Sequence, residues 1–266
     1  MNMEELIIDV APVPGEKQEE KFPGKLDVPQ ETIAAARAGA SIVHLHVRDK
    51  NLLQTVDTSL FAHDVKQIRE SSSIIIEGST GGAPEHTLEQ RSVSFTVPGV
   101  EMGSLNLGSI NLWDGVYNNS LDNMLFYAER LQKNGIKPFF CIFDLSHFSY
   151  IEKLEKRQLI SKPYVLAFVY DIPNALPYSE KYLDLFLEEM PQDAIWFGVR
   201  HHVNGAAGLE SILERGGHVR VGFEDGPFLS NGERAKSNVA LVEDIAAAAS
   251  KLGRSIATPE RTRELF

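Results

Sequence analysis

The chain has 266 residues, of which 43% are apolar and 24% charged, and its formal net charge is −11 at pH 7. This composition is typical of a soluble globular protein, and the negative charge argues against a general binder of nucleic acids or membrane surfaces, since both are polyanions. The single cysteine, Cys141, excludes an internal disulfide. No apolar run reaches the length of a membrane span, which is about 20 residues. The first residues lack the basic-then-apolar order of a secretory signal. We therefore expect a cytoplasmic protein.

Short apolar runs alternate with helix-like segments along the chain. Runs rich in β-branched and aromatic residues are typical of strands buried on both faces, and such strands are connected by helices. The predicted strands are residues 5–12, 40–47, 73–79, 99–107, 137–145, 164–170, 194–200 and 218–225. The predicted helices are residues 29–39, 57–72, 85–95, 120–135, 149–160, 179–191, 205–217 and 237–253.

Eight strand–helix units predict a closed (β/α)₈ barrel, a TIM barrel, which typically has about 250 residues. An open, doubly wound sheet is the alternative. No Pro/Ser-rich linker divides the chain, so we predict a single domain over residues 1–266. The third predicted helix is short and interrupted by Val93 and Ser94, and the tail 258–266 predicts one short closing helix.

Two histidines lie two residues apart near the carboxyl end of the second predicted strand. Alternate residues of a strand point the same way, so His44 and His46 project together while Val43, Leu45 and Val47 face the helices. The carboxyl ends of barrel strands carry the active sites of enzymes with this fold. Two imidazoles on one face can converge on one metal ion, although a histidine here can also be a hydrogen-bonded core residue.

The eighth predicted strand offers a third ligand. Arg220, Gly222 and Glu224 share one face of this strand. Two imidazoles and one carboxylate suit zinc, with an open position for water or substrate. The alternative is that Glu224 forms an ion pair with Arg220. The opposite face carries Val219, Val221 and Phe223.

Two polar clusters lie at the same face of the barrel, one after the third predicted strand and one on the fourth. The glycines of segment 78–82 allow backbone N–H groups to point at an oxyanion, although the segment can also be a plain turn. Ser104 and Asn106 lie two residues apart on the fourth strand, hence on one inward face. Their alternative role is polar filling of the barrel.

Four more residues bear on the predicted pocket. Asp225 follows Glu224 directly and points differently, so it is a candidate to act on substrate rather than on metal. His201 and His202 follow the seventh strand and can face the same pocket. Cys141 lies within the fifth strand without a basic neighbour in sequence, which predicts packing rather than nucleophilic attack.

Six segments resemble successive blocks of the β-keto acid cleavage enzymes. They are residues 39–49, 73–82, 100–111, 135–147, 216–225 and 237–265. The resemblance runs from the first strand to the end of the chain, and the order and spacing of the blocks are specific. It implies a zinc-containing barrel that converts a β-keto acid and acetyl-CoA into acetoacetate and a new CoA thioester, and that assembles as a homodimer or homotetramer.

The resemblance also implies roles for individual residues. By motif position, His44, His46 and Glu224 would be the metal ligands, in agreement with the strand argument. Asp225 would be the acid/base residue, oriented by Arg220. The residues implied to bind the keto acid, or to lie beside it, are Ser79, Thr80, Gly81, Gly82, Ser104 and Asn106.

Two positions of the fifth strand depart from the family pattern. The family usually has glutamates where this chain has Phe139 and Cys141, and the glutamate at the Cys141 position belongs to the polar network of the active site. Its loss removes a charge and a hydrogen-bond acceptor that can couple to Asp225 and Arg220. Two alternatives therefore stay open: a metal-dependent retro-aldolase or hydrolase that needs no CoA, and a catalytically altered relative that binds a metabolite.

Overall fold

The computed structural model describes residues 5–15, 26–81, 86–112 and 114–266. The strands are β1 (Ile8–Val10), β2 (Ile42–Leu45), β3 (Ile75–Gly78), β4 (Met102–Asn106), β5 (Ile110–Leu112), β6 (Gly115–Tyr117), β7 (Lys137–Ile142), β8 (Tyr164–Tyr170), β9 (Ala194–Arg200) and β10 (His218–Val221). The helices are α1 (Val28–Ala38), α2 (Ser59–Ser71), α3 (Leu88–Arg91), α4 (Leu121–Lys133), α5 (Phe148–Glu155), α6 (Glu180–Glu189), α7 (Glu210–Glu214), α8 (Asn238–Lys251) and α9 (Pro259–Leu265).

Eight parallel strands close into a barrel in the order β1, β2, β3, β4, β7, β8, β9, β10, and β10 pairs with β1. The predicted closed (β/α)₈ barrel is therefore confirmed, and the open sheet is excluded. The strands β5 and β6 form a separate antiparallel hairpin between β4 and α4, which the sequence pattern does not predict. None of the described helices is long and apolar enough to cross a bilayer.

Side-chain caps explain where several helices begin. Asp27, Ser120 and Ser237 each accept a hydrogen bond from the backbone N–H three residues further on. The third predicted helix is interrupted as expected, since α3 gives way to a 3₁₀ turn at Val93–Thr96. The seventh predicted helix is likewise divided into a 3₁₀ turn at Gly205–Gly208 and the short helix α7. The closing helix is confirmed as α9.

Strand alternation sorts the apolar residues into two cores. Each buried side chain of this kind contributes about 1.5–3 kcal/mol of hydrophobic stabilisation. The core between strands and helices includes, as predicted, Val43, Leu45, Val47, Val219, Val221 and Phe223. The core inside the barrel includes Ile7, Ile42, Ile75, Met102, Phe139, Val165 and Phe197. Towards the carboxyl ends of the strands the buried residues become polar, with Asp9, His44, Glu77 and Ser104.

The last barrel strand is shorter than predicted. The pattern predicts a strand over 218–225, but β10 has four residues. Gly222 has a φ of +149°, and a Cβ atom there would lie 2.1 Å from the carbonyl oxygen of Ala11. The chain then turns, because the N–H of Asp225 donates to the carbonyl of Gly222 at 3.0 Å. Glu224 therefore reaches the carboxyl end of the barrel from a turn rather than from an extended strand.

Candidate active site

The three predicted metal ligands meet at the carboxyl end of the barrel. Nε2 of His44 lies 3.2 Å from Nε2 of His46. Glu224 completes the group, with Oε1 3.6 Å from Nε2 of His44 and Oε2 3.4 Å from Nε2 of His46. In the part of the chain that the structure describes, this is the one group of three ligating side chains within reach of a single ion.

The spacing of these ligand atoms fits a tetrahedral ion. Two nitrogens at zinc-ligand distance in a tetrahedral arrangement lie about 3.3 Å apart. The two imidazole nitrogens are separated by 3.2 Å. The side chains of His44, His46 and Glu224 are 5%, 12% and 16% exposed, so few water molecules compete with them for an ion. Two imidazoles and one carboxylate therefore form a suitable site for a divalent metal.

A buried carboxylate fixes the orientation of His44. Nδ1 of His44 lies 2.9 Å from Oε2 of Glu77, and Ser104 donates from Oγ to Oε1 of Glu77 at 2.7 Å. The contact between Nδ1 and Glu77 leaves Nε2 of His44 directed at the other two ligands. This is the usual arrangement of a metal-binding imidazole, whose second nitrogen bonds to a carboxylate or carbonyl. Glu77 was not predicted from the sequence, although it lies on the inward face of β3, level with His44 in the strand register.

Replacing Glu77 by glutamine is expected to weaken zinc binding by about 10- to 100-fold. His44 and Ser104 bond to different oxygens of Glu77, and an amide has only one acceptor oxygen, so Glu77→Gln in the same orientation keeps one of the two hydrogen bonds. Competition titration against a zinc indicator measures the affinity. Activity assayed with saturating zinc should largely recover, whereas an affinity equal to that of the unmodified protein would show that Glu77 does not orient the ligand.

The charges around the group favour a cation. Burial lowers the pKa of His44, but the carboxylates of Glu77 and Glu224 outweigh burial and raise it to about 9. Burial raises the pKa of Glu224, but His44, His46 and Arg220 together hold it well below its usual range. His44 is therefore protonated at neutral pH when no metal is bound, and metal binding releases that proton.

The metal-free protein should become less stable as the pH rises across this range. A group whose pKa is raised on folding stabilises the folded state below its unfolded pKa, and this contribution is lost as the pH rises through the folded pKa. For His44 the window runs from 6.5 to about 9. We expect the Tm of chelator-treated protein to fall by a few degrees over this window, measured by calorimetry. A Tm that rises there would contradict the raised pKa of His44.

Arg220 and Asp225 form a buried ion pair beside the three ligands. Arg220 donates from Nε to Oδ2 of Asp225 at 3.0 Å and from Nη2 to Oδ1 at 2.5 Å. Nη2 also donates to Oε1 of Glu224 at 3.4 Å. Burial lowers the pKa of Arg220, but Asp225 and Glu224 raise it well above its usual range, so the guanidinium stays charged. Asp225 thus binds the guanidinium with both oxygens, whereas Glu224 contacts both imidazoles and, through Oε1, also Arg220. The ion pair considered for Glu224 is therefore present together with its contacts to the two histidines.

The glycine-rich segment after β3 approaches the ligands closely. Gly81 lies against His46, and a Cβ atom at position 81 would be 2.6 Å from Cε1 of that imidazole. The N–H of Gly81 donates to Oγ of Ser79 at 2.9 Å. Ser79 therefore keeps its own hydroxyl proton available for another acceptor. Gly82, which the sequence predicts as a further contact to the keto acid, lies outside the described residues.

Thr80, Ser104 and Asn106 are linked by hydrogen bonds, and the link extends to β6. Thr80 donates from Oγ1 to the carbonyl of Ser104 at 3.1 Å and accepts from Nδ2 of Asn106 at 3.0 Å. Nδ2 of Asn106 also donates to the hydroxyl of Tyr117 at 3.1 Å. Arg91 donates to the same hydroxyl at 2.7 Å and to the carbonyl of Thr80 at 3.0 Å. Tyr117 and Arg91 were not predicted, because their local sequence does not indicate which elements they contact.

Two further polar residues lie inside the barrel, close to the ion pair and the ligands. Asp9 is fully buried beside Arg220 in the strand register, and neither carboxylate oxygen has a hydrogen-bond partner among the described residues. Burial, together with Glu77, raises the pKa of Asp9 well above its usual range. Cys141 packs against the interior apolar core, and burial raises the pKa of its thiol. A protonated thiol is a poor nucleophile, which favours the predicted packing role.

Comparison with known proteins identifies the family. The model of the beta-keto acid cleavage enzyme family matches residues 5–266. The chain belongs to this family. The resemblance inferred from the six sequence segments is thereby confirmed.

Two named relatives align with most of the chain. A 3-keto-5-aminohexanoate cleavage enzyme from Fusobacterium nucleatum is 35% identical over 99% of this chain and 98% of its own length. A 3-oxoadipate:acetyl-CoA acetyltransferase from Cupriavidus necator is 33% identical over 89% of this chain and 84% of its own length. Among solved structures, apo ObcA has a TM-score of 0.72 at 16% identity, and the alignment covers 90% of this chain and 64% of ObcA. The likeness to ObcA concerns the barrel fold alone.

Proposed function

We propose that this protein is a zinc-dependent β-keto acid cleavage enzyme, which converts a β-keto acid and acetyl-CoA into acetoacetate and a new acyl-CoA. The observation that carries the proposal is the group of two imidazoles and one carboxylate beside a buried Arg–Asp pair, in a barrel of this family. The named relatives support the shared chemistry. One is named for the cleavage of a 3-keto acid with an amino substituent, and another is named for an acetyl transfer between 3-oxoadipate and acetyl-CoA.

His44, His46 and Glu224 would hold the metal ion. When bound, zinc supplies Lewis-acid polarisation of the keto oxygen, which can contribute several kcal/mol of charge stabilisation as an enolate develops. Three protein ligands would leave one position open on a four-coordinate ion, and the keto acid would fill it. Glu77 keeps His44 in the orientation that this arrangement needs.

Asp225 is the proposed acid/base residue. Its carboxylate would take a proton from the carbon between the keto and carboxylate groups of the substrate. That carbon would bond to the acetyl carbon of acetyl-CoA as CoA thiolate leaves, and the thiolate would attack the original keto carbon, so that the bond between these two substrate carbons breaks and the new acyl-CoA forms. Asp225 would return the proton to the same carbon of the released acetoacetate. Arg220 holds both oxygens of Asp225 and stays positively charged, so it also stabilises negative charge that develops beside it. Asp225 is 2% exposed, which keeps bulk water from competing for the proton.

The polar residues of the segment after β3 and those of β4 would divide between substrate binding and support. Ser79 accepts from Gly81, so its hydroxyl can donate to a substrate carboxylate. Ser104 donates its proton to Glu77 and can offer the substrate only an acceptor. Both amide protons of Asn106 are used within the protein. Because a β-keto acid presents oxygen acceptors, we assign direct binding to Ser79, and support of the pocket to the Gly81 N–H, Thr80, Ser104 and Asn106.

A screen of β-keto acids on zinc-loaded protein tests the proposal. Acetoacetate is measured with and without acetyl-CoA for keto acids that carry cationic, anionic and neutral substituents. Formation of acetoacetate and a new acyl-CoA only when acetyl-CoA is present is the expected result. Cleavage without acetyl-CoA would favour a retro-aldolase or hydrolase. Activity that appears only in the variant Cys141→Glu would favour the catalytically altered relative.

A further inference from the structure

The loop after β9 brings a histidine to the buried ion pair. Nε2 of His201 lies 3.6 Å from Oδ1 of Asp225, and the side chain of His201 is 11% exposed. In the part of the chain that the structure describes, His201 and Arg220 are the two basic side chains within 4.0 Å of Asp225. This contact agrees with the expectation that His201 can face the pocket.

Backbone pairing fixes where His201 lies. The N–H of the next residue, His202, donates to the carbonyl oxygen of Asp225 at 2.7 Å. Three residues after His201, Asn204 forms a parallel bridge with Phe228 of the loop after β10. The two loops are therefore joined along their main chains. This main-chain pairing keeps the His201 imidazole close to the Asp225 carboxylate, so their proximity does not depend on the position of a mobile surface side chain.

The His201 ring can serve as a neutral hydrogen-bond donor. Burial lowers its pKa to about 4, although the nearby carboxylates of Asp225 and Glu224 oppose this effect, and Arg220 and His202 add to it. A neutral imidazole carries one N–H, and a carboxylate favours the proton on the nitrogen that faces it. The separation of 3.6 Å is longer than a hydrogen bond, and catalytic hydrogen bonds of this kind often tighten when substrate binds.

We infer that His201 is a positioning residue, whose Nε2–H donates to Oδ1 of Asp225 and holds that carboxylate in the orientation needed for proton transfer. Arg220 reaches Asp225 from strand β10, whereas His201 reaches it from the loop after β9. Donors from two different elements restrict rotation of the carboxylate more than one guanidinium does. The inference rests on the proposed function, since Asp225 is an acid/base residue only within it.

Three variants on zinc-loaded protein test the inference through turnover. His201→Leu removes the donor, His201→Gln keeps an amide N–H near the position of Nε2, and His202→Gln is the matched control in the same loop. We expect His201→Leu to lower kcat by about 10-fold, the usual order for a lost hydrogen bond to a charged group, with KM and zinc content nearly unchanged. His201→Gln should recover most of that loss, and His202→Gln should match the unmodified protein.

Two turnover results would overturn the inference. One is a kcat for His201→Leu equal to that of His202→Gln. The other is an equal loss in His201→Leu and His201→Gln, which would indicate a structural requirement for the ring rather than for its donor.

A spectroscopic measurement tests the contact between His201 and Asp225 without requiring enzyme turnover. Long-range ¹H–¹⁵N spectra of the zinc-loaded protein, labelled with ¹⁵N-histidine, report which ring nitrogen of His201 carries the proton. We expect the Nε2–H tautomer in the unmodified protein and its weakening in Asp225→Asn, with the signal assigned by its loss in His201→Gln. The Nδ1–H tautomer would refute the inference even in an active enzyme. If no β-keto acid is cleaved, the proposed function fails and these spectra still report on the contact.

Discussion

Replacing His46 by alanine is expected to abolish stoichiometric zinc binding and to lower kcat/KM by more than about a thousandfold. Nε2 of His46 lies 3.2 Å from Nε2 of His44 and 3.4 Å from Oε2 of Glu224, so its removal leaves two of the three proposed ligands. A catalytic metal supplies several kcal/mol of transition-state stabilisation, and about 4 kcal/mol corresponds to about a thousandfold in rate. Elemental analysis of the dialysed protein and steady-state kinetics measure the two effects.

The same replacement at an exposed histidine provides the control. His63 lies on α2, outside the group of ligands, and His63→Ala should keep both zinc and activity. Glu224→Ala should resemble His46→Ala, because it removes the single carboxylate of the group. Full zinc content together with full activity in either ligand variant would refute the proposed site. Loss of zinc without loss of activity would instead show that the chemistry does not need the metal.

The two imidazoles of the site could be predicted because strand alternation is a local property. Side chains two residues apart on a strand lie on the same face, and this relation holds wherever the strand lies in the fold. Val43 and Leu45 pack on the helix side of the barrel, while His44 and His46 turn towards Glu224. The same rule identified the helix-facing residues of the eighth barrel strand.

The position of Glu224 was predicted by an argument that is only partly right. The sequence pattern continues the strand to residue 225, whereas β10 ends before Gly222. What bends the chain is the close approach of Gly222 to the backbone of Ala11, residues that are far apart in sequence. Such an approach depends on how the barrel closes, and an alternating pattern carries no information about it.

The supporting residues could not be predicted because they depend on register and on long-range packing. Glu77 contacts His44 because the register of β2 and β3 places these two residues side by side. The sequence of either strand alone does not determine that register. Tyr117 reaches Asn106 from a hairpin strand of only three residues. The sequence thus identifies the residues that could perform chemistry more readily than those that hold them in place.

Replacing Asp225 by asparagine is expected to lower kcat by about 100- to 10,000-fold, the usual contribution of a general acid or base. Asparagine has nearly the same shape but cannot take up a proton at neutral pH. Zinc content should not change, since Asp225 is not one of the three proposed ligands. KM should change little, because the contacts proposed to hold the keto acid come from the metal and from the segment after β3. Steady-state kinetics and elemental analysis measure these effects.

A second Arg–Asp pair separates the catalytic effect from the structural effect. Arg200 donates from Nε to Oδ2 of Asp171 at 2.8 Å, in a pair that is about one-fifth exposed. Asp171→Asn and Asp225→Asn each replace a carboxylate that pairs with a guanidinium by a neutral amide. Both should therefore lower the free energy of unfolding by about 1–3 kcal/mol. Only Asp225→Asn should lower kcat by orders of magnitude. If the two variants lost stability alike and both kept their turnover, Asp225 would be a structural partner of Arg220, and the proton would have to be taken by another group.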